Sequence, residues 1–355
     1  MSSAITDRRT CKRMLEKPDL QDEAITACLQ DEFGLDVVQV SFLPIGADQN
    51  TAVYRAVAAD ETAYFVKLRR GTLNETPVAL PKFLSDQSIG QIIAPLTTTT
   101  GELWASLDGF KVIAYPFIEG RNGFEVALTD RQWIEFGTAL KQIHAVQVPV
   151  ELAEHIRREL FSPRWRETVK TFLSRVDDGF DDPVAAKAAA LLRDKQDVVL
   201  DMVARAERHA QLLQTRPLEP VLCHYDIHAG NLLIDSATDA IYIVDWDDPI
   251  MAPKERDLMF IGGGIGGVWN TPREETLFYR GYGPTEIDAV ALAYYRYERI
   301  IEDIAVHCEQ LLLTSEGGRD REQSYRYLQS NFLPNETVEM AYKAGRTVRG
   351  ADTTD

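Results

Sequence analysis

The stretch His224-Tyr225-Asp226-Ile227-His228-Ala229-Gly230-Asn231 sets an acid and a carboxamide five residues apart, and Ile243-Val244-Asp245-Trp246-Asp247 adds two more carboxylates after a short apolar run. Phosphoryl transfer calls for such a set. The protein must position an acceptor hydroxyl and hold magnesium against nucleotide phosphates, with little covalent chemistry of its own. Asp226 can accept the hydroxyl proton, Asn231 can offer a neutral amide oxygen to Mg2+, and Asp245 a charged carboxylate. Taken singly, each is an ordinary loop or strand-end residue. The ordered string H-x-D-x-x-x-x-N, followed by an apolar strand and a terminal Asp, is far harder to obtain by accident. Between the two motifs, Leu232-Leu233-Ile234, a turn over 235–239 and Ile241-Tyr242-Ile243-Val244 predict a hairpin.

A site of this kind needs an upstream lysine for the phosphates. Tyr64-Phe65-Val66-Lys67-Leu68 offers Lys67 on a β-branched and aromatic run, although a strand lysine is often only a solvated side chain. Its expected partner is Glu75, the first acidic residue downstream. Ahead of Lys67, the segment 42–50 separates two apolar runs and contains Gly46. It reads either as a loop over the phosphates or as a plain hairpin turn. Val112-Ile113-Ala114-Tyr115-Pro116-Phe117-Ile118 precedes the first helical pattern. Backbone groups from Tyr115 through Phe117 to Ile118 could meet an adenine edge, or the run could be a buried edge strand ending at Pro116.

These residues together resemble the aminoglycoside phosphotransferases. The likeness rests on 64–68, 113–118, 223–231 and 243–247, and continues through Ala252-Pro253-Lys254-Glu255-Arg256-Asp257-Leu258 into Gly262-Gly263-Gly264. The resemblance implies an α+β, two-lobed, protein-kinase-like fold, with ATP and Mg2+ as cofactors. It also implies transfer of the terminal phosphoryl group to a hydroxyl of a cationic aminocyclitol, spectinomycin above all, with antibiotic resistance as the outcome. Carried over residue by residue, Asp226 is the base, Asn231 and Asp245 the metal ligands, and Lys67 with Glu75 the phosphate-positioning pair. A metabolic kinase for choline, a sugar or an amino alcohol would share these residues, and a nucleotide-binding scaffold without turnover is the reading outside enzymes.

Another class is suggested by Gly262-Gly263-Gly264-Ile265-Gly266-Gly267, which satisfies the dinucleotide pattern G-x-G-x-x-G with Glu286 and Asp288 downstream. That site requires a helix opening at the third glycine. Here the capping box Thr271-Pro272-Arg273-Glu274 starts the helix too late. The expectation is a glycine loop beside an acceptor pocket, or close helix packing.

The elements that must position these groups divide the chain. Residues 1–18 read as a charged extension, 19–116 as a small strand-rich nucleotide lobe, 117–349 as a larger helical lobe and 350–355 as a tail. A threonine run, Thr97 to Thr100, suits a hairpin, and Thr129-Asp130-Arg131-Gln132 is a capping box that opens the helical pattern. Helical stretches are predicted over 184–213 and 285–313. Acceptor candidates beside Asp226 are Asp247, Trp269, Tyr295 and Arg299, each set against a bland alternative of a solvated turn or an aromatic core stripe.

With 355 residues and 45% hydrophobic content, the chain can bury one large core or two lobes. A net charge of −17 disfavours nucleic acid and anionic membranes and suits a cationic acceptor. Cys11, Cys28, Cys223 and Cys308 are scattered without metal or disulfide spacing. The start lacks a signal-peptide core and no run approaches a membrane span. The expectation is a cytoplasmic monomer.

Overall fold

The apolar runs of the first third of the chain pair into an antiparallel sheet. The computed structural model describes residues 17–44, 50–71, 74–314 and 318–351. The chain divides into two units, one formed by 1–120 with 235–247 and the other by 121–234 with 248–355. The first unit opens with α1 (Asp22–Phe33), β1 (Val37–Leu43), β2 (Thr51–Ala58), β3 (Ala63–Arg70), α2 (Thr76–Asp86), β4 (Ala105–Leu107) and β5 (Phe110–Pro116). Its sheet order is β1-β2-β3-β5-β4. β3 lies in the middle, with Lys67 opposite Val53 of β2 and Ile113 of β5. Alternation along the strand sends Val66 and Leu68 into a core shared with Ile25, Leu29, Tyr54 and Val112. Phe65, Lys67 and Arg69 are thereby left on the opposite face.

Helix α1 departs from the strand-rich reading of this region. Ile25, Cys28, Leu29 and Phe33 form a buried stripe at helical spacing, and Gly34 at φ +68° stops the helix by donating its N–H to Gln30 O. The threonine run is a turn rather than a hairpin linking two strands. Thr98 N–H reaches Glu102 O at 2.7 Å and the chain runs irregularly before β4.

The second unit begins within β6 (Gly120–Asn122) and continues through α3 (Asp130–Ala145), α4 (Val150–Ala153), β7 (Arg157–Arg158), α5 (Arg164–Leu173), α6 (Pro183–Asp194), α7 (Gln196–Gln214), β8 (Val221–Cys223) and β9 (Leu232–Asp235). The capping box at Thr129 and Gln132 is formed in both directions, as its spacing predicts. The stretch predicted as one helix is two, because Lys195 leaves the helical region at φ −100°, ψ 8°. Chain 235–247 then returns to the first unit. There the turn from Asp235 closes with Asp235 N–H on Ala240 O at 2.9 Å, and β10 (Ile241–Ile243) bridges Ile92 in parallel.

Beyond it come β11 (Ile250–Ala252), α8 (Glu255–Leu258), α9 (Pro272–Tyr282), α10 (Ala289–Leu312), α11 (Gly318–Ser330) and α12 (Thr337–Ala351). β11 pairs with β8 antiparallel and β7 parallel. Thr271 and Glu274 cap α9 reciprocally, so the helix after the glycine loop starts where its capping box places it. α10 runs through the middle of this unit, packed on α5, α7, α11 and α12. No helix among the described residues is long and apolar enough to cross a membrane. Cys28, Cys223 and Cys308 are buried free thiols.

Candidate active site

In the first unit, the pleat of β3 directs Lys67 and Arg69 to one carboxylate. Lys67 Nζ lies 3.0 and 2.9 Å from the two oxygens of Asp247, and Arg69 Nη1 lies 3.5 Å from Oδ1. Asp245 Oδ1 is 4.0 Å from the same ammonium. The Asp-Trp-Asp order explains this. Trp246 is buried and donates Nε1–H to Ile243 O, so its neighbours project away from the core. Asp245 itself takes φ +67°.

The expected pairing of Lys67 with Glu75 is therefore replaced by one with Asp247. Glu75 is exposed at the N-cap of α2, whereas Asp247 carries the two-cation contact instead of standing ready for an acceptor ammonium. Tyr115 lies edge-on to Phe65, and burial and the charge of Asp247 push its hydroxyl pKa up. The Phe117 amide is spent on Ala63 O at 3.1 Å, which removes it from any adenine edge, and Arg55 lies over the Phe117 ring. Ile118 is half-buried just beyond. Gly46 lies outside the described residues.

In the second unit, the catalytic-loop candidate hangs from Asp257 of α8. This fully buried carboxylate accepts the backbone N–H groups of His224 and Tyr225 at 2.8 and 2.9 Å, and His144 Nε2 lies 3.1 Å from it. Burial alone would raise the Asp257 carboxyl, but the bond and charge of His144 and the amide of His224 hold it below the usual range. Asp257 is a brace for the loop.

Asp226 follows, with its carboxylate one-third exposed. Arg299 Nη1 of α10 contacts Oδ1 at 2.7 Å, and His228 Nε2 lies 3.6 Å from Oδ2. Burial works to raise this carboxyl, yet the guanidinium charge of Arg299 outweighs it and holds Asp226 below the usual carboxylate range. His228 Nδ1 accepts the Gly230 amide at 2.9 Å, which assigns the remaining ring proton to Nε2, facing Asp226. Burial lowers the His228 pKa, so the ring is neutral. Asn231 donates Nδ2–H to Asp226 O at 2.8 Å. Its carbonyl Oδ1 is then an oxygen donor of the kind that a hard cation such as magnesium prefers.

The other acceptor candidates fall differently. Trp269 is 4% exposed and packs edge-on against Trp133 and at a tilt against Phe136, an aromatic core rather than a stacking surface. Tyr295 is equally buried on the inner face of α10. Arg299 reaches the site, but as the partner of Asp226 and Asp303; its Nε is 3.1 Å from Asp303. A guanidinium there would repel an acceptor ammonium.

Sequence reasoning missed Tyr225 and its clamp. The ring lies between the guanidinium groups of Arg157 and Arg256, at 4.0 and 3.7 Å, and its hydroxyl donates to Glu302 at 2.6 Å. No local spacing signals this, since the partners come from three separate elements.

A double-wound nucleotide fold is excluded by this topology, and the site defines the class. The profile of the APH phosphotransferase enzyme family matches residues 41–294, and the chain belongs to that family. It has the kinase-like fold and is a phosphotransferase acting on a hydroxyl group.

Among solved structures it is similar to spectinomycin phosphotransferase APH(9)-Ia in complex with ADP and spectinomycin. That match has 39% identity over 93% of this chain and 100% of the other, with a TM-score of 0.87. An amicoumacin kinase, 17% identical at TM-score 0.57 over 91% of this chain and 94% of its own, shares the fold. Protein StrN of Streptomyces griseus is 23% identical over 79% of this chain and 84% of its own length.

Proposed function

We propose that this protein transfers the γ-phosphoryl group of ATP to a hydroxyl of a cationic aminocyclitol, with spectinomycin as the acceptor and resistance as the consequence. The observation that carries the reading is the 39% identity to a spectinomycin phosphotransferase over nearly the whole chain. The surroundings of Asp226 support it. Arg299 keeps the carboxylate ionised, so one oxygen can accept the acceptor's proton as the new O–P bond forms and the bond to the β–γ bridging oxygen breaks, releasing ADP.

Asn231 fixes the loop through Asp226 O and, with Asp245, would hold magnesium. Magnesium would supply charge neutralisation at the phosphates. Lys67 and Arg69 would bind phosphate oxygens, with the segment from Tyr115 to Ile118 beside the nucleotide. Glu75 is left at the periphery.

The test is coupled ADP release with Mg2+ and ATP against spectinomycin, other aminoglycosides, choline and simple sugars. Turnover confined to spectinomycin is the expected result, with Asp226→Asn lowering kcat by roughly 10²- to 10⁴-fold, the contribution of a positioned general base. Preference for choline or a sugar would keep the kinase and discard the antibiotic. Equal rates for Asp226→Asn and the unaltered protein would discard Asp226 as the base.

A further inference from the structure

Phe124 leaves its phenyl ring 43% exposed. It is not loosely held. Asn122 Oδ1 accepts the amides of Phe124 and Glu125 at 3.0 and 3.3 Å, and Glu125 returns a bond to Asn122 N–H. Gly123 N–H donates to Ala229 O at 2.8 Å, tying this turn to the catalytic loop.

The ring then rests on that loop. Its centroid is 5.5 Å from the imidazole of His228, whose Nε2 is 3.6 Å from Asp226. Two glycines make the space. A Cβ at Gly230 would come within 2.9 Å of the ring, and one at Gly266 within 2.5 Å. The glycine loop and the catalytic loop thus hold a rigid aromatic plate one residue removed from the base, with part of it open.

We propose that Phe124 is a specificity-determining residue, the platform on which the ammonium-bearing ring of the acceptor rests. The inference deepens the aminocyclitol reading above and rests on it. A phenyl face carries negative quadrupolar charge and attracts alkylammonium groups, while its apolar surface matches the C–H face of a cyclitol. Asp226 alone cannot supply that recognition, because Arg299 already satisfies one of its oxygens. Buried Trp269, the aromatic that the sequence suggested, is not placed to do so.

The experiment compares unaltered protein with Phe124→Leu and Phe124→Tyr in acceptor KM, ATP KM and ADP release with water as acceptor. Leucine keeps apolar bulk over the two glycines and loses the π face; tyrosine keeps both. Phe124→Leu should raise the KM for spectinomycin about 10-fold. ATP KM and water-driven release should stay unchanged, and Phe124→Tyr should stay close to the unaltered protein. An unchanged acceptor KM in Phe124→Leu sinks the platform and leaves the substrate reading intact. A parallel loss in all three quantities also sinks it, since that marks a packing role. Failure of the unaltered protein to use any aminocyclitol removes the substrate reading first, and the platform with it.

Discussion

Tyr225 occupies φ +82°, a conformation that costs a non-glycine residue about 1–3 kcal/mol unless its surroundings enforce it. Asp257 enforces the backbone and the two guanidinium groups enforce the ring. Burial and the charge of Glu302 lift the phenol to about 12, against the opposing pull of Arg256, so the hydroxyl remains a donor at neutral pH. Tyr225→Phe keeps the stack and deletes a hydrogen bond to a charged acceptor, worth about 1.5–3 kcal/mol. Thermal unfolding should show a melting temperature lower by roughly 2–4 °C, with kcat falling more than ATP affinity because the residue adjoins the base. An unchanged melting temperature would mean that the Glu302 bond contributes nothing. At this scale the sequence exposed what is local: Asp226 and Asn231 lie five residues apart and announce themselves. Lys67 and Asp247 lie 180 residues apart, and choosing the nearest acid, Glu75, was bound to miss a partner set by tertiary folding.

Helix α10 shows the same division between pattern and placement. Its aromatic residues sit at helical spacing, and that stripe is core, with Tyr294, Tyr295 and Tyr297 buried. Its polar positions carry Glu298, Arg299, Glu302 and Asp303, so one helix supplies both packing and the partner of the candidate base. Glu298, 13% exposed, pairs with Arg166 at 2.8 Å. Burial, reinforced by Glu159 and Glu302, nevertheless lifts its pKa to about 7, against the pull of Arg166. The pair is uneven, because Arg166 stays charged while Glu298 resists ionisation. A carboxyl raised on folding holds more protons in the folded state, so its contribution is full below about pH 4.5 and is lost as pH rises through about 7. Glu298→Gln should flatten the decline in melting temperature between those values. The same slope in both proteins would place the titration elsewhere. The existence of α10 was legible from its period, whereas α1 was overlooked because its buried stripe is short and its neighbours are strands.

On the scale of the whole molecule, the chain leaves the first unit at residue 120 and returns for 235–247, bringing Asp245 and Asp247 to the unit that holds Lys67. The two parts of the motif thus fall in different units, a division that linear order conceals. What composition did convey is charge. A net −17 field attracts a cationic acceptor and repels anionic nucleotide, and both effects are screened by salt. Raising ionic strength from about 20 mM to about 500 mM shortens the Debye length from roughly 20 Å to roughly 4 Å. Under the proposed substrate reading, the acceptor KM should rise several-fold over that range while the ATP KM falls or stays level. A neutral acceptor would show no such rise. If both KM values climbed together, salt would be perturbing the protein generally. If the acceptor KM stayed flat, recognition would depend on short-range contacts such as the Phe124 face, with the overall acidity serving solubility alone.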